Sequence, residues 1–99
     1  MSEMNCILLN AQDNVVTALK ELGIGEGIVA DGLAAKIQTT EKIPRGHKIA
    51  VARIPLQAQV VKYGHIIGVT TSDIQRGQLV HVHNLKSCRG KGIGENFHA

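Results

Sequence analysis

Two imidazoles stand two residues apart in the run Val80-His81-Val82-His83-Asn84-Leu85. Side chains separated by two positions on a strand share one face. Such a pair could ligate a metal, move a proton near neutral pH or bind an anion. A third imidazole, His47, follows the turn Pro44-Arg45-Gly46 and precedes Lys48. Lys62-Tyr63-Gly64 holds the only aromatic in the middle of the chain. The tyrosine is either a core plug with its hydroxyl at the surface or a phenol that binds carboxylate beside Lys62. His65 has no partner in the sequence, and His98 lies at the terminus. Gly23, Gly25 and Gly27 lack both the strand-to-helix setting and the Gly-Lys-Ser/Thr ending of a phosphate loop.

The elements that must position these groups repeat. Thr39-Thr40-Glu41-Lys42-Ile43-Pro44-Arg45-Gly46 and the residues up to Ile54 align with Thr70-Thr71-Ser72-Asp73-Ile74-Gln75-Arg76-Gly77 and the residues up to Leu85. Each Arg-Gly marks a tight turn that leads into an alternating strand, at 48–53 and at 79–84. In the second strand Val80 and Val82 should face the core, which turns His81 and His83 away from it. The first copy carries Ala50 and Ala52 where the second carries the histidines. Further strands are expected at 5–10, 28–30, 34–39, 59–62 and 66–70, with a turn at Tyr63-Gly64-His65. Asp13 reads as the N-cap of the one substantial helix, with Val15, Val16, Ala18, Leu19 and Leu22 on its apolar face and Gly23 closing it. The expected body spans 1–86, followed by a Gly-rich tail at 87–99 that is mobile at its end.

The chain has 99 residues, the size of one domain, with Tyr63 and Phe97 as its only aromatics. Its core must therefore be Val, Ile, Leu and Ala. So small an aliphatic core favours homo-oligomerisation or docking on a larger partner. The net charge is +3 and the pI about 9.1. The basic residues are scattered, apart from Lys86, Arg89 and Lys91, and stacking aromatics are missing, which argues against nucleic acid. No apolar run approaches the roughly 20 residues of a membrane helix, and the start lacks the charged and apolar regions of a signal peptide. A cytoplasmic protein is expected. Cys6 and Cys88 make neither a disulfide framework nor a zinc cluster.

Taken together, Ile43-Pro44-Arg45-Gly46-His47-Lys48-Ile49-Ala50, Val61-Lys62-Tyr63-Gly64, Ile67-Gly68, Ile74, Gly77 and Val80-His81-Val82-His83-Asn84-Leu85 resemble the SAF domain of the altronate/galactarate dehydratase family. The resemblance covers about Asn10 to Leu85. It implies a mainly β fold, a β-clip of the SAF/antifreeze-like type, in keeping with a pseudo-two-fold strand-turn repeat beside one short N-terminal helix. It also implies a hydro-lyase that acts by metal-assisted β-elimination on a sugar acid or related hydroxy acid, with a divalent metal, iron, and a large catalytic subunit as partner. Under it, His47 and His83 become catalytic candidates, His81 and His83 metal ligands, and Lys48, Lys62, Tyr63 and Asn84 substrate contacts. Two alternatives remain open. One is a detached small subunit like that of sulfolactate sulfo-lyase, releasing sulfite. The other is a non-catalytic module that binds acidic carbohydrates.

The chemistry sets clear demands. A proton beside a carboxylate is weakly acidic, so its removal needs a base and a positive group for the developing enediolate. The leaving group needs a proton or a Lewis acid.

Overall fold

A computed structural model describes residues 3–87. Seven short strands form two antiparallel sheets: β1 Cys6–Ile7, β2 Val15–Ala18, β3 Lys48–Ala50, β4 Gln59–Lys62, β5 His65–Thr70, β6 Leu79–Val80 and β7 Leu85–Ser87. The first sheet has the order β1-β2-β3-β6 and the second β4-β5-β7. No helix occurs among the described residues.

The expected N-terminal helix is therefore a strand. Val15, Val16 and Thr17 are all β-branched, which restricts them in a helix and suits them to a pleated surface. Tertiary pairing completes the argument: Val15, Val16 and Thr17 pair with Ala50, Ile49 and Lys48. Asp13 does not cap a helix. Its carboxylate accepts the backbone N–H groups of Tyr63 and Gly64, each at 2.8 Å, from far along the chain. The expected strands at 28–30 and 34–39 shrink to the single bridge Gly27–Gln38 and the bond from Ile28 N to Ile37 O. β7 begins before the expected tail and includes Ser87, while residues 88–99, with Cys88, Arg89, Lys91, Phe97 and His98, lie outside the described residues.

A set of bonds recurs along the chain and ties its strands and loops together. Asn5 donates its side-chain amide to Gly27 O and accepts from Val29 N, while its carbonyl takes Leu19 N. Asn14 does the same with Gln59 O, Val61 N and Val51 N. The buried Thr39 hydroxyl donates to Gly23 O and accepts from Glu26 N. The buried Thr70 hydroxyl donates to Pro55 O and accepts from Ala58 N. Leu22 bridges Ile43 as Ile54 bridges Ile74, and all four are essentially inaccessible. Ala18 exchanges bonds with Gly46 and His47, and Ala50 exchanges them with Gly77 and Gln78.

Two aliphatic clusters follow from this arrangement. Cys6, Val16, Ala18, Leu22, Ile28, Ala30, Ile37, Ile43 and Ile49 pack on one side of the first sheet. Val15, Ala50, Ile54, Val60, Ile74 and Val80 pack on the other. Among the described residues neither cluster holds an aromatic ring. Burial, with a smaller contribution from the charge of Glu26, raises the Cys6 thiol to about 11.

Candidate functional site

β6 ends at Val80, two residues into the expected strand, and His81 to Asn84 form a turn. Asn84 causes this. Its side-chain oxygen accepts His81 N at 2.9 Å, its amide donates to Leu79 O at 2.8 Å, and its own N–H reaches His81 O. With 2% of its surface exposed, Asn84 has both polar side-chain atoms occupied inside the chain. The expected alternation fails at Val82, which is 79% exposed and not in the core. A turn does not alternate its side chains as a strand does.

The turn lays His81 against His47. Their ring centroids are 4.5 Å apart, with the planes tilted by 53°. His47 is delivered by the Pro44-Arg45-Gly46 turn, where Gly46 adopts a φ of 83° that suits glycine. The His47 Nδ1 atom lies 3.2 Å from Arg45 O. A proton on Nδ1 serves that bond and leaves Nε2 free to accept. His83 is exposed and belongs to the same turn. It does not stack with the other two, yet its charge acts on His81.

Lys48 opens β3, pairs across the sheet with Thr17 and Val80, and is partly buried. Lys62 ends β4 and pairs with His65 across a two-residue loop, Tyr63-Gly64. Tyr63 has a φ of 56° and Gly64 of 76°, the pattern of a type I′ hairpin turn. Asp13 holds that turn, and Asn10 fills the space a Cβ on Gly64 would need, with its Nδ2 only 2.7 Å away. The Lys62 Nζ atom sits 4.9 Å from the Tyr63 ring centroid, within cation–π range. Tyr63 is thus neither buried as a plug nor isolated: it is 42% exposed and steadies Lys62.

Electrostatics tie these groups into one cluster. Burial lowers the pKa of Lys48, and repulsion from Lys62 lowers it further. Burial lowers that of His81, followed by the charges of His47, Lys48 and His83. Among the described residues, the groups acting on either residue include no carboxylate. Asp13 accepts the N–H groups of Tyr63 and Gly64, and Glu41 accepts Leu79 N. The cluster can bind an anion, and its neutral imidazoles can accept a proton.

It does not fit a complete metal site. Among the described residues no three His, Cys, Asp or Glu side chains gather to hold an ion. The expected ligands His81 and His83 are joined here by lysines, and their positive charge opposes a divalent cation. Asp13 and Asn14, which build the hairpin side of the site, were missed as such in the sequence. The signal for a strand was present in the β-branched residues after Asp13.

Known proteins show the same chain segment. The altronate/galactarate dehydratase SAF domain matches residues 4–88. Altronate dehydratase of Bacillus subtilis (strain 168) is 42% identical over 81 residues, covering 82% of this chain and 16% of that protein. Altronate dehydratase of Escherichia coli (strain K12) is 37% identical over 84 residues, 85% of this chain and 17% of that protein. The (2R)-sulfolactate sulfo-lyase subunit alpha of Paracoccus pantotrophus is 32% identical over 62 residues, 63% of this chain and 92% of that subunit. The chain therefore spans about a sixth of the length of the two dehydratases.

Proposed function

The chain belongs to the altronate/galactarate dehydratase SAF-domain family, and on that premise we propose that it is the small domain or subunit of a lyase that eliminates water from an acidic hydroxy acid. The observation that carries this reading is the contact of the His47 and His81 rings at 4.5 Å beside Lys48, with no described carboxylate among the groups acting on Lys48 or His81. In this reading the two sheets and their recurrent bonds constitute a β-clip with a pseudo-two-fold repeat. One end of the clip offers the cluster to a large catalytic polypeptide, which closes the pocket that so open a surface lacks.

The residues divide the work by position. Lys48 and Lys62 bind and orient the substrate's carboxylate, and their charge favours the enediolate that builds up as the α-proton leaves. His81, held neutral by burial and by its cationic neighbours, accepts that proton. His47, tilted against His81, disfavours a lasting positive charge there and passes a proton toward the leaving hydroxyl. Exposed His83 stands at the rim, where it can meet substrate or partner. Tyr63 keeps Lys62 in place, and Asn84 keeps His81 in place. We assign the divalent metal implied by the family to the partner polypeptide, because no group of three ligands gathers among the described residues.

A second reading has its own support. The match to the sulfo-lyase subunit alpha takes in nearly all of that separate polypeptide, so release of sulfite from a sulfonated hydroxy acid is the alternative reaction. The test is to assay the chain together with its large catalytic polypeptide on altronate, galactarate and sulfolactate. Under the proposal, His81→Gln lowers kcat/KM by about 10²–10⁴-fold on the accepted substrate while the complex still forms. Full activity of the large polypeptide without this chain would refute it.

A further inference from the structure

The hydroxyls of Thr39 and Thr70 each donate one hydrogen bond and accept another. Thr17 on β2 breaks that habit. Its Oγ1 atom is sealed from solvent, and among the described residues it is the one buried side-chain polar atom without a hydrogen-bond partner. An unpaired buried hydroxyl weakens a fold. Valine has the same branched shape and would fill the position without that penalty. A hydroxyl kept there points to a task outside the framework.

Register shows what lies beside it. Thr17 pairs with Ile7 on one side and with Lys48 on the other, and Lys48 pairs in turn with Val80. Residues directly opposite on paired strands share a face, with Cβ atoms about 4.5–5.5 Å apart. By alternation this is the face on which Val15, Ala50 and Val80 enter the second cluster. Lys48 is partly buried there, and among the described residues its ammonium makes no ion pair. One residue beyond the Lys48–Val80 pair, His47 and His81 meet with ring centroids 4.5 Å apart. Two groups without partners thus occupy neighbouring positions at the edge of the site. An ammonium has donors and no acceptor, and a hydroxyl has lone pairs to receive one of them. Rotation within the flexible stem of Lys48 is all that is needed to join them.

We propose that Thr17 is a positioning residue of the site: its hydroxyl accepts a hydrogen bond from the Lys48 ammonium and fixes that charge beside the His47–His81 contact. The role in activity rests on the lyase reading, in which Lys48 holds the acid's carboxylate. Thr17 itself does not touch the substrate. It keeps Lys48 from sweeping through solvent, so less freedom is lost when the acid binds.

The first test uses the 99-residue chain alone. Proton–nitrogen NMR of the lysine ammonium groups, with Lys48→Gln to assign the signal, reads how fast the Lys48 protons exchange with water. Exchange should be about tenfold faster in Thr17→Val than in wild type, and Thr17→Ser should restore it. The Lys36 signal, from the groove beside Ala34 and Ala35, should not change. Thermal melts form the second test. Thr17→Val should melt no lower than wild type, in contrast to Thr39→Val and Thr70→Val, because it removes no bond within the framework. In complex with the large polypeptide, Thr17→Val should lower kcat/KM about tenfold and Thr17→Ser should recover it.

Equal ammonium exchange in wild type and Thr17→Val would overturn the inference. So would a melting loss in Thr17→Val as large as that in Thr39→Val, since the hydroxyl would then belong to the framework. A loss of activity that serine does not recover would also sink it, by making shape and not the hydroxyl decisive. Full activity of the large polypeptide alone would remove the lyase reading, while the exchange rates would still decide whether Thr17 holds Lys48.

Discussion

The part of the chain that leads into Ala50-Val51-Ala52 and the part that leads into His81-Val82-His83 are held by the same bonds and do different things. Asn5 and Asn14 make matching triplets of contacts, Thr39 and Thr70 make matching hydroxyl clamps, and Ile43 and Ile74 plug matching positions. The first copy gives His47 and Lys48 to the site, but the His-x-His pair stands in the second copy alone. Where the first has small alanines, the second has imidazoles and a buried Asn84 that turns the backbone. Framework and site are thus separable: buried Asn, Thr and Ile maintain the fold, and residues at one end of the strands carry the charge. Mutations should respect that division.

The largest effects are expected in the framework. Ile43→Ala and Ile74→Ala should each cost about 2–5 kcal/mol in urea unfolding, since each removes most of a fully buried side chain. Similar losses in the two would support equal roles for the two copies; a cost confined to one would break the comparison. Next come the arginine-glycine turns, where the copies differ. Gly46 and Gly77 both have positive φ, so alanine at either pays about 1–2 kcal/mol of backbone strain. At Gly46 a Cβ meets nothing, whereas at Gly77 it runs into Gln38 O. Gly77→Ala should therefore be the more damaging in thermal melts, and equal melting temperatures would contradict this contact.

The hydroxyl clamps should follow. Thr39→Val and Thr70→Val each remove two part-buried side chain–backbone hydrogen bonds, at about 0.5–1.5 kcal/mol per bond. On the site side, His81→Gln should change stability by no more than about 0.5 kcal/mol, as expected for a side chain outside both cores. Its effect should appear in activity alone. The smallest effect is the pH dependence. His81 has a lower pKa folded than unfolded, so on acidification the unfolded chain takes the proton first. Stability should be complete above the ordinary imidazole value of about 6.5 and should decline as pH falls through the folded value. Wild type should lose more than His81→Gln over that range, and parallel stability curves would remove His81 from the explanation.

Much of this architecture could be read from residues alone, for reasons that differ by element. The Arg-Gly turns and the β4–β5 hairpin are local: glycine conformations and β-branched alternation specify them within a few residues. The strand at Val15–Ala18 misled because its apolar spacing also suits a helix, and the deciding partner, β3, lies some thirty residues away in the sequence. The recurrence of the Asn5 and Asn14 contacts is nearly invisible in the sequence, since they hold backbone groups, and only one of the two residues held matches: Gly27 and Val29 against Gln59 and Val61. At the site, Lys48, Lys62, His47 and His81 were recognisable by type. The place of Val82 and the turn at Asn84 were not, because one buried amide overrides the alternation that the valines suggest. Among the described residues no helix is long and apolar enough to cross a membrane.

Cys6 is sealed within the first core and keeps its proton to about pH 11. A thiol of that kind hardly reacts while the protein is closed, because the thiolate is the nucleophile. Exposed to an alkylating reagent, it becomes a built-in clock. The rate at which Cys6 is modified reports how often β1 leaves β2, without any added dye.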